Sequence, residues 1–223
     1  MRRIRDHGLS VFFGTIFLLA LIGQAIAGTA DYNNRQLSSG GDPVSLLQFV
    51  TSSSFAVDVA ENWQSEYLQF LLFIFATVWL VQRGSTESKE LDKVGLESDR
   101  DQQIGRYAEE DSPAWARTGG WRTALYSRSL GTVMGLIFLA SWLAQSIAGR
   151  AAYNNEQISE FSDPVSWTGY VTSADFWNRT MQNWQSEFLA VASMVILSIY
   201  LRQRGSAESK PVGASHEATG MEG

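Results

Sequence analysis

The chain has 223 residues, 45% of them hydrophobic, with 17 basic against 23 acidic residues and a formal net charge of -6. Cysteine is absent, which excludes disulfides, thiolate metal sites and cysteine nucleophiles. His7 and His216 lie near opposite ends and form no local metal-ligating cluster, and a pI near 5.0 speaks against nucleic-acid binding.

The apolar residues gather in four blocks, Leu9–Ile26, Tyr67–Val81, Leu130–Ile147 and Phe188–Leu201. The mean hydropathy of -0.09 therefore averages apolar runs with polar loops. The first and third blocks are nearly free of charge over about 18 residues, enough to cross a hydrocarbon core of ~30 Å. The first follows Arg2, Arg3 and Arg5 and ends in Ala25-Ile26-Ala27, a pattern shared with cleavable signal peptides. Its length exceeds a signal core, and the equivalent Ser146-Ile147-Ala148 lies deep inside the chain, so a transmembrane helix is expected.

An internal repeat runs through the sequence at an offset of 121 residues. Tyr32-Asn33-Asn34 returns as Tyr153-Asn154-Asn155, and Asp42-Pro43-Val44-Ser45 as Asp163-Pro164-Val165-Ser166. Asn62-Trp63-Gln64-Ser65-Glu66 returns unaltered as Asn183-Trp184-Gln185-Ser186-Glu187, and Arg83-Gly84-Ser85 as Arg204-Gly205-Ser206. Such self-similarity predicts a duplicated structural unit, here a helical hairpin.

The expected organisation is a first hairpin over 1–89, with spans at about 9–28 and 64–82 and an outer loop at 29–61. A cytoplasmic linker over 90–127 leads to a second hairpin over 128–210, with spans at about 130–149 and 185–203 and an outer loop at 150–182. Of the 17 basic residues, 14 fall on the side of the termini and linker, and only Arg35, Arg150 and Arg179 fall on the other. The positive-inside rule places both termini in the cytoplasm. Hairpins of one orientation form a parallel repeat, with the pseudo-two-fold along the membrane normal. Glu66 and Glu187 are then expected at equal depth.

In the outer loops, Gly28 and Gly149 followed by Tyr-Asn-Asn suggest helix ends in turn conformations. Asp42-Pro43 and Asp163-Pro164 read as an N-cap followed by proline at the first helical position. A short amphipathic helix carrying Val44, Leu47 and Val50 is expected next. Ser52 to Ser54, and Ser173, can cap a further helix that runs straight into the span. Its apolar positions are Phe55, Val59 and Trp63, or Phe176, Thr180 and Trp184. The early linker is acidic and expected to be weakly structured. Trp115, Trp121 and Tyr126 among Arg117, Arg122 and Arg128 look interfacial. The tail over 211–223, rich in Gly, Ala, Ser and Glu, is expected to be disordered.

Candidate functional residues are the polar groups near the spans: Gln24 and Gln145 within spans one and three, and Asn62, Trp63, Glu66, Asn183, Trp184 and Glu187 at the outer border of spans two and four. Two readings apply. A ligand or proton path lined by Gln24, Gln145, Glu66 and Glu187 is one. Interhelical hydrogen bonds and an aromatic belt that anchor the hairpins is the other, and the favoured one. Gly131-x-x-x-Gly135, with Ser10-x-x-x-Gly14 as counterpart, permits close helix approach. Asn178-Arg179-Thr180 fits a glycosylation acceptor pattern and is expected to be incidental. No phosphate loop, Ser-His-Asp set or nucleophile elbow is present, so no catalytic residue, cofactor or metal is expected.

Gly23–Gly28, the paired Tyr-Asn-Asn and Asp-Pro-Val-Ser, the twin Asn-Trp-Gln-Ser-Glu and the Arg-Gly-Ser-x-Glu-Ser-Lys segments together resemble an uncharacterised bacterial family of multi-pass membrane proteins, classed as a domain of unknown function. The resemblance extends to Trp115-Ala116-Arg117 and Gly119-Gly120-Trp121-Arg122. It implies a bacterial inner-membrane setting and supplies no activity. The expectation is an all-α integral membrane protein of four transmembrane helices, arranged as two parallel-repeat hairpins with helical extracytoplasmic loops. Its role is read as a non-enzymatic structural or interaction module of the envelope, in the lipid bilayer, with a second copy or another membrane protein as partner. The alternative is a small transporter or channel component using a Gln/Glu layer between the repeats.

Overall fold

The computed structural model describes residues 6–221. Arg2, Arg3 and Arg5, and the last two residues of the tail, lie outside the described residues. All regular structure among the described residues is helical. In chain order it comprises α1 (Gly8–Ser38), α2 (Leu46–Val50), α3 (Ser53–Trp79), a 3-10 turn (Gly105–Tyr107), α4 (Ala114–Thr118), α5 (Gly120–Tyr126), α6 (Ser129–Ser159), α7 (Trp167–Val171) and α8 (Ala174–Tyr200). α6, α7 and α8 begin and end 121 residues after α1, α2 and α3, the spacing that relates the sequence motifs. α1 and α6, of 31 residues each, are long and apolar enough to cross a membrane. At 1.5 Å per residue each runs roughly 46 Å.

The chain divides into two compact units, and each draws on both sequence repeats. The first comprises Met1–Glu61 and Leu143–Trp177, the second Asn62–Trp142 and Asn178–Gly223.

In the first unit α1 and α6 continue ten residues beyond the glycines expected to end them. Gly28 and Gly149 sit inside the helices and serve close approach instead. A Cβ on Gly28 would lie 2.8 Å from the Phe49 ring, and one on Gly149 would collide with the Tyr170 ring and hydroxyl. Phe49 is buried between Tyr32 and Phe55, each ring centroid 5.5 Å away. Tyr170 is buried likewise between Tyr153 and Phe176, each at 5.6 Å. These aromatic triads occupy matching positions of the repeat, and a glycine is what admits the central ring.

The Tyr-Asn-Asn segments are therefore helical rather than turns, and their first asparagine has a tertiary role. The Asn33 amide donates to the Val44 carbonyl at 2.9 Å and its oxygen accepts from the Val44 N–H at 2.7 Å. Asn154 treats Val165 the same way, at 3.0 and 2.8 Å. Each pair holds a valine backbone extended, so the next helix cannot start at Asp42-Pro43 or Asp163-Pro164. The N-caps are Ser45 and Ser166 instead. Ser45 forms a capping box with Gln48, and Ser166 accepts from the Gly169 N–H at 3.1 Å. On α2 the buried residue is Phe49, whereas Leu47, expected on the apolar face, is exposed. Ser52 and Ser173 accept from the N–H groups of Phe55 and Phe176 at the starts of α3 and α8.

α1 ends through Gly40, in the left-handed region at φ 76°, while its counterpart after α6 is Phe161 at φ 59°. A phenylalanine in that conformation is strained by about 1–2 kcal/mol, and Phe161 is 100% exposed, without packing to offset the strain. The Phe161→Gly variant is expected to be more stable by about 0.5–1 kcal/mol after glycine's larger unfolded-state entropy is subtracted. Thermal unfolding in detergent reads this as a raised midpoint; an unchanged or lowered midpoint would show that the ring has a compensating contact.

In the second unit α3 and α8 end at Trp79 and Tyr200, three residues before the expected span ends. The repeated Arg-Gly-Ser-x-Glu-Ser-Lys segments form matching turns there. Ser88 accepts from the Gln82 N–H and Ser209 from the Gln203 N–H, both at 2.9 Å, and Gly84 and Gly205 hold φ 85° and 80°. The acidic linker is built from turns and local pairs: Lys89 bonds Glu97 at 2.9 Å, and Ser98 donates to Asp101 at 2.6 Å. Lys89, with the Gln102 amide, holds the Glu97 carboxyl below its ordinary pKa. The tail expected to be disordered makes specific contacts as far as Gly220. Its N–H donates to the Ser85 carbonyl at 3.1 Å, and Thr219 accepts from the Gly84 N–H at 2.9 Å.

Candidate functional site

The repeated Asn-Trp-Gln-Ser-Glu places its polar residues one helical turn from a long apolar run, so folding must bury or expose them one by one. The two copies meet different fates. In the first, Gln64 and Ser65 are fully buried while Asn62, Trp63 and Glu66 are exposed. In the second, Asn183, Trp184 and Glu187 are half-buried, and Gln185 and Ser186 are exposed.

An indole–amide hydrogen bond joins the copies. The Trp184 indole Nε1 donates to Gln64 Oε1 at 2.9 Å. Trp184 also leans against Trp142, centroids 6.0 Å apart, and Trp142 stacks on Phe138 at 5.4 Å and 25°. The Gln64 Nε2 amide, buried with the rest of the side chain, has no hydrogen-bond partner among the described residues. Glu187 has Ser65 and Glu66 as polar neighbours. Of the residues singled out from sequence, the second unit thus brings together Glu66, Trp184 and Glu187, around two that were passed over, Gln64 and Ser65. Asn62 and Asn183 instead accept locally through their backbones, from the Ser65 and Ser186 hydroxyls at 2.8 and 2.9 Å.

Gln24 and Gln145 belong to the first unit. Gln145 is 0% exposed, beside a buried Ser146 whose hydroxyl accepts from Trp167 Nε1 at 3.1 Å. Gln24 is only half-buried. The difference follows from their helices: α6 buries part of its apolar stretch, whereas the described part of α1 has no fully buried residue. The Gly-x-x-x-Gly positions repeat this contrast. Gly131 and Gly135 face Phe75 and Leu71 of α3, while a Cβ on Gly14 would meet open space.

A family model described as a domain of unknown function, DUF6766, matches residues 1–221. The chain belongs to that family. No curated protein and no solved structure matches it. The DUF6766 match spans both sequence repeats and the linker between them, so the indole–amide bond between Trp184 and Gln64 lies wholly within one family domain. Chemically this cluster offers hydrogen-bond donors and acceptors, with the Glu187 carboxyl beside Ser65 and Glu66. Among the described residues no group of three His, Cys, Asp or Glu side chains is placed to hold a metal ion.

A signal for Gln64 was present in the sequence. Both copies carry an amide one residue after the tryptophan, where an apolar residue would suit a purely interfacial helix. Nothing local distinguishes Gln64 from Gln185, because the choice depends on which helix packs across it.

Proposed function

We propose that this DUF6766 protein is a multi-pass membrane protein of four spans, α1, α3, α6 and α8, arranged as two tandem hairpins with both termini cytoplasmic. Its role on this reading is non-enzymatic: a structural or interaction module of the bacterial inner membrane. The observation that carries it is the exposure of large apolar side chains along the long helices while several polar side chains are buried. Gln64, Ser65, Gln145, Ser146 and Thr180 are buried, whereas Phe12, Leu19, Phe75, Leu136, Leu139 and Leu189 are exposed, with similar residues along all four long helices. Water-soluble monomers rarely expose apolar patches beyond a few hundred Å², and a bilayer reverses that preference because lipid tails solvate such side chains. The buried amides and hydroxyls then hold helices together, each interhelical bond contributing about 0.6–2 kcal/mol.

A second reading has one observation of its own. The buried Gln64 Nε2 has no hydrogen-bond partner among the described residues, and the neighbouring Ser65 lies beside Glu187; a donor and a carboxyl so placed could receive a polar solute or proton, which fits a small transporter or channel component. Reconstituted proteoliposomes separate the two. The structural reading expects no proton or ion flux above that of empty vesicles, and a lower thermal midpoint for Glu66→Gln with Glu187→Gln. Flux in the wild type that this double variant abolishes would replace it with the transporter. Reporter fusions after Arg83 and Lys210 are both expected to report cytoplasm, and an outer signal at either would overturn the topology.

A further inference from the structure

The linker and the residues flanking it carry two opposite electrostatic characters. From Glu87 to Asp111 the chain is predominantly acidic, but from Ser112 to Met134 it has no carboxylate and three arginines, Arg117, Arg122 and Arg128. This basic part is folded. α4 and α5 are separated by Gly119 at φ 70°, with Gly120 at φ 65° opening α5, and Thr123 reaches back to donate to the Trp115 carbonyl at 2.7 Å. That bond turns α5 against α4 and buries Ala116 and Thr123.

The aromatic residues are left outside. Trp121 is 67% exposed, and Trp115, Leu125 and Tyr126 are exposed as well. Trp115 and Trp121 meet edge to face at 6.2 Å, and the Arg122 guanidinium lies 5.5 Å from the Trp121 ring centroid. A soluble fold has no reason to display two tryptophans, a leucine and a tyrosine on one short helical pair. Ordered by an internal hydrogen bond, they form a built surface rather than a loose loop. Only Ser127 and Arg128 separate α5 from α6, a helix long and apolar enough to cross a membrane.

We propose that α4 and α5 form a docking surface for anionic phospholipid headgroups on the cytoplasmic face. The inference rests on the membrane reading above and adds a binding site to it. Trp115, Trp121 and Tyr126 enter the headgroup layer, where amphipathic rings are most stable, and Arg117, Arg122 and Arg128 pair with phosphodiesters. The acidic stretch before Ser112 is repelled by the same surface and stays in solution. Charge complementarity selects the lipid: each arginine near an anionic leaflet favours docking, and three together shift the docked-to-free ratio by about a hundredfold.

The absence of cysteine makes the test direct. An environment-sensitive fluorophore is placed on Leu125→Cys, with Leu96→Cys in the acidic part as control, in the full-length protein reconstituted into phosphatidylcholine vesicles with or without phosphatidylglycerol. The neutral quencher acrylamide reports exposure to water. The expected result is strong shielding at 125 only when phosphatidylglycerol is present, weakened by salt, with 96 accessible throughout. Soluble glycerol phosphate should give no shielding. Replacing Arg117, Arg122 and Arg128 by glutamine should return 125 to its state in phosphatidylcholine, with Tm unchanged. Equal shielding in both lipids, or shielding that survives the triple substitution, would overturn the proposal. Alkaline carbonate extraction separates the two levels. Protein retained in the vesicles with 125 freely quenched defeats only the docking surface, whereas protein released by carbonate defeats the membrane reading and the docking surface with it.

Discussion

Replacing Asn33 or Asn154 by alanine is expected to lower stability by about 2–3 kcal/mol in each case. Each side chain makes two hydrogen bonds to a single valine backbone, at 2.7–2.9 Å for Val44 and 2.8–3.0 Å for Val165. A net value near 1 kcal/mol per bond, together with a part-buried N–H and carbonyl left unpaired, sets that range. Because the valine is what holds Asp-Pro-Val extended, its release frees the N-cap serine and the buried ring of Phe49 or Tyr170 behind it. Aspartate at either position keeps the acceptor for the valine N–H but loses the donor to its carbonyl, so Asn33→Asp should fall between wild type and Asn33→Ala. The two alanine variants should cost nearly the same, since their geometries match, and should add when combined if the clamps act independently. Thermal unfolding in detergent gives the ranking. Were Asn33→Ala neutral, the extended segment would be held by something other than its asparagine.

That clamp also shows how far the chain could be read in advance. The four apolar blocks and the 121-residue offset located the long helices, because burying or lipid-solvating such runs leaves few alternatives. The helix ends depart from the local preference where tertiary contact opposes it. Gly28 followed by Tyr-Asn-Asn carries every local sign of a turn, but a ring packed on the glycine and a valine eleven residues after the asparagine keep the segment helical. Asp42-Pro43 is a good start for a helix taken alone, and loses to Ser45 because Val44 is already committed to Asn33. The candidate site was half legible. The duplicated motif lies on α3 and α8, where the Trp184–Gln64 bond forms, but identical pentapeptides cannot say that Gln64 turns inward to Trp184 while Gln185 faces outward. That asymmetry belongs to packing, and no periodicity encodes it.

The tail gives the second large expectation. Lys210 is 1% exposed, and its ammonium shares three protons among four backbone carbonyls: Gly84 at 2.6 Å, Ser215 at 3.2 Å, His216 at 3.1 Å and Ala218 at 3.1 Å. Arg202 adds a second cation, bonded to the Ala214 carbonyl at 3.1 Å. Composition of this kind does not order by burying apolar surface, so the carbonyls need a donor, and Lys210 supplies it. Lys210→Met keeps much of the side-chain volume but leaves the four acceptors without their cation. Hydrogen bonds to charged groups contribute about 1.5–3 kcal/mol each, and shared geometry makes them less than additive, so a loss of about 3 kcal/mol is expected. Its sequence counterpart Lys89 is the control. Lys89 is partly exposed and makes one carbonyl bond and one ion pair, so Lys89→Met should cost less than ~1 kcal/mol. Limited proteolysis separates the two: cleavage between Val212 and Glu217 should accelerate sharply in Lys210→Met and little in Lys89→Met. A tail as protected in Lys210→Met as in wild type would mean that Arg202 and the Thr219 contact to Gly84 hold it without the buried ammonium.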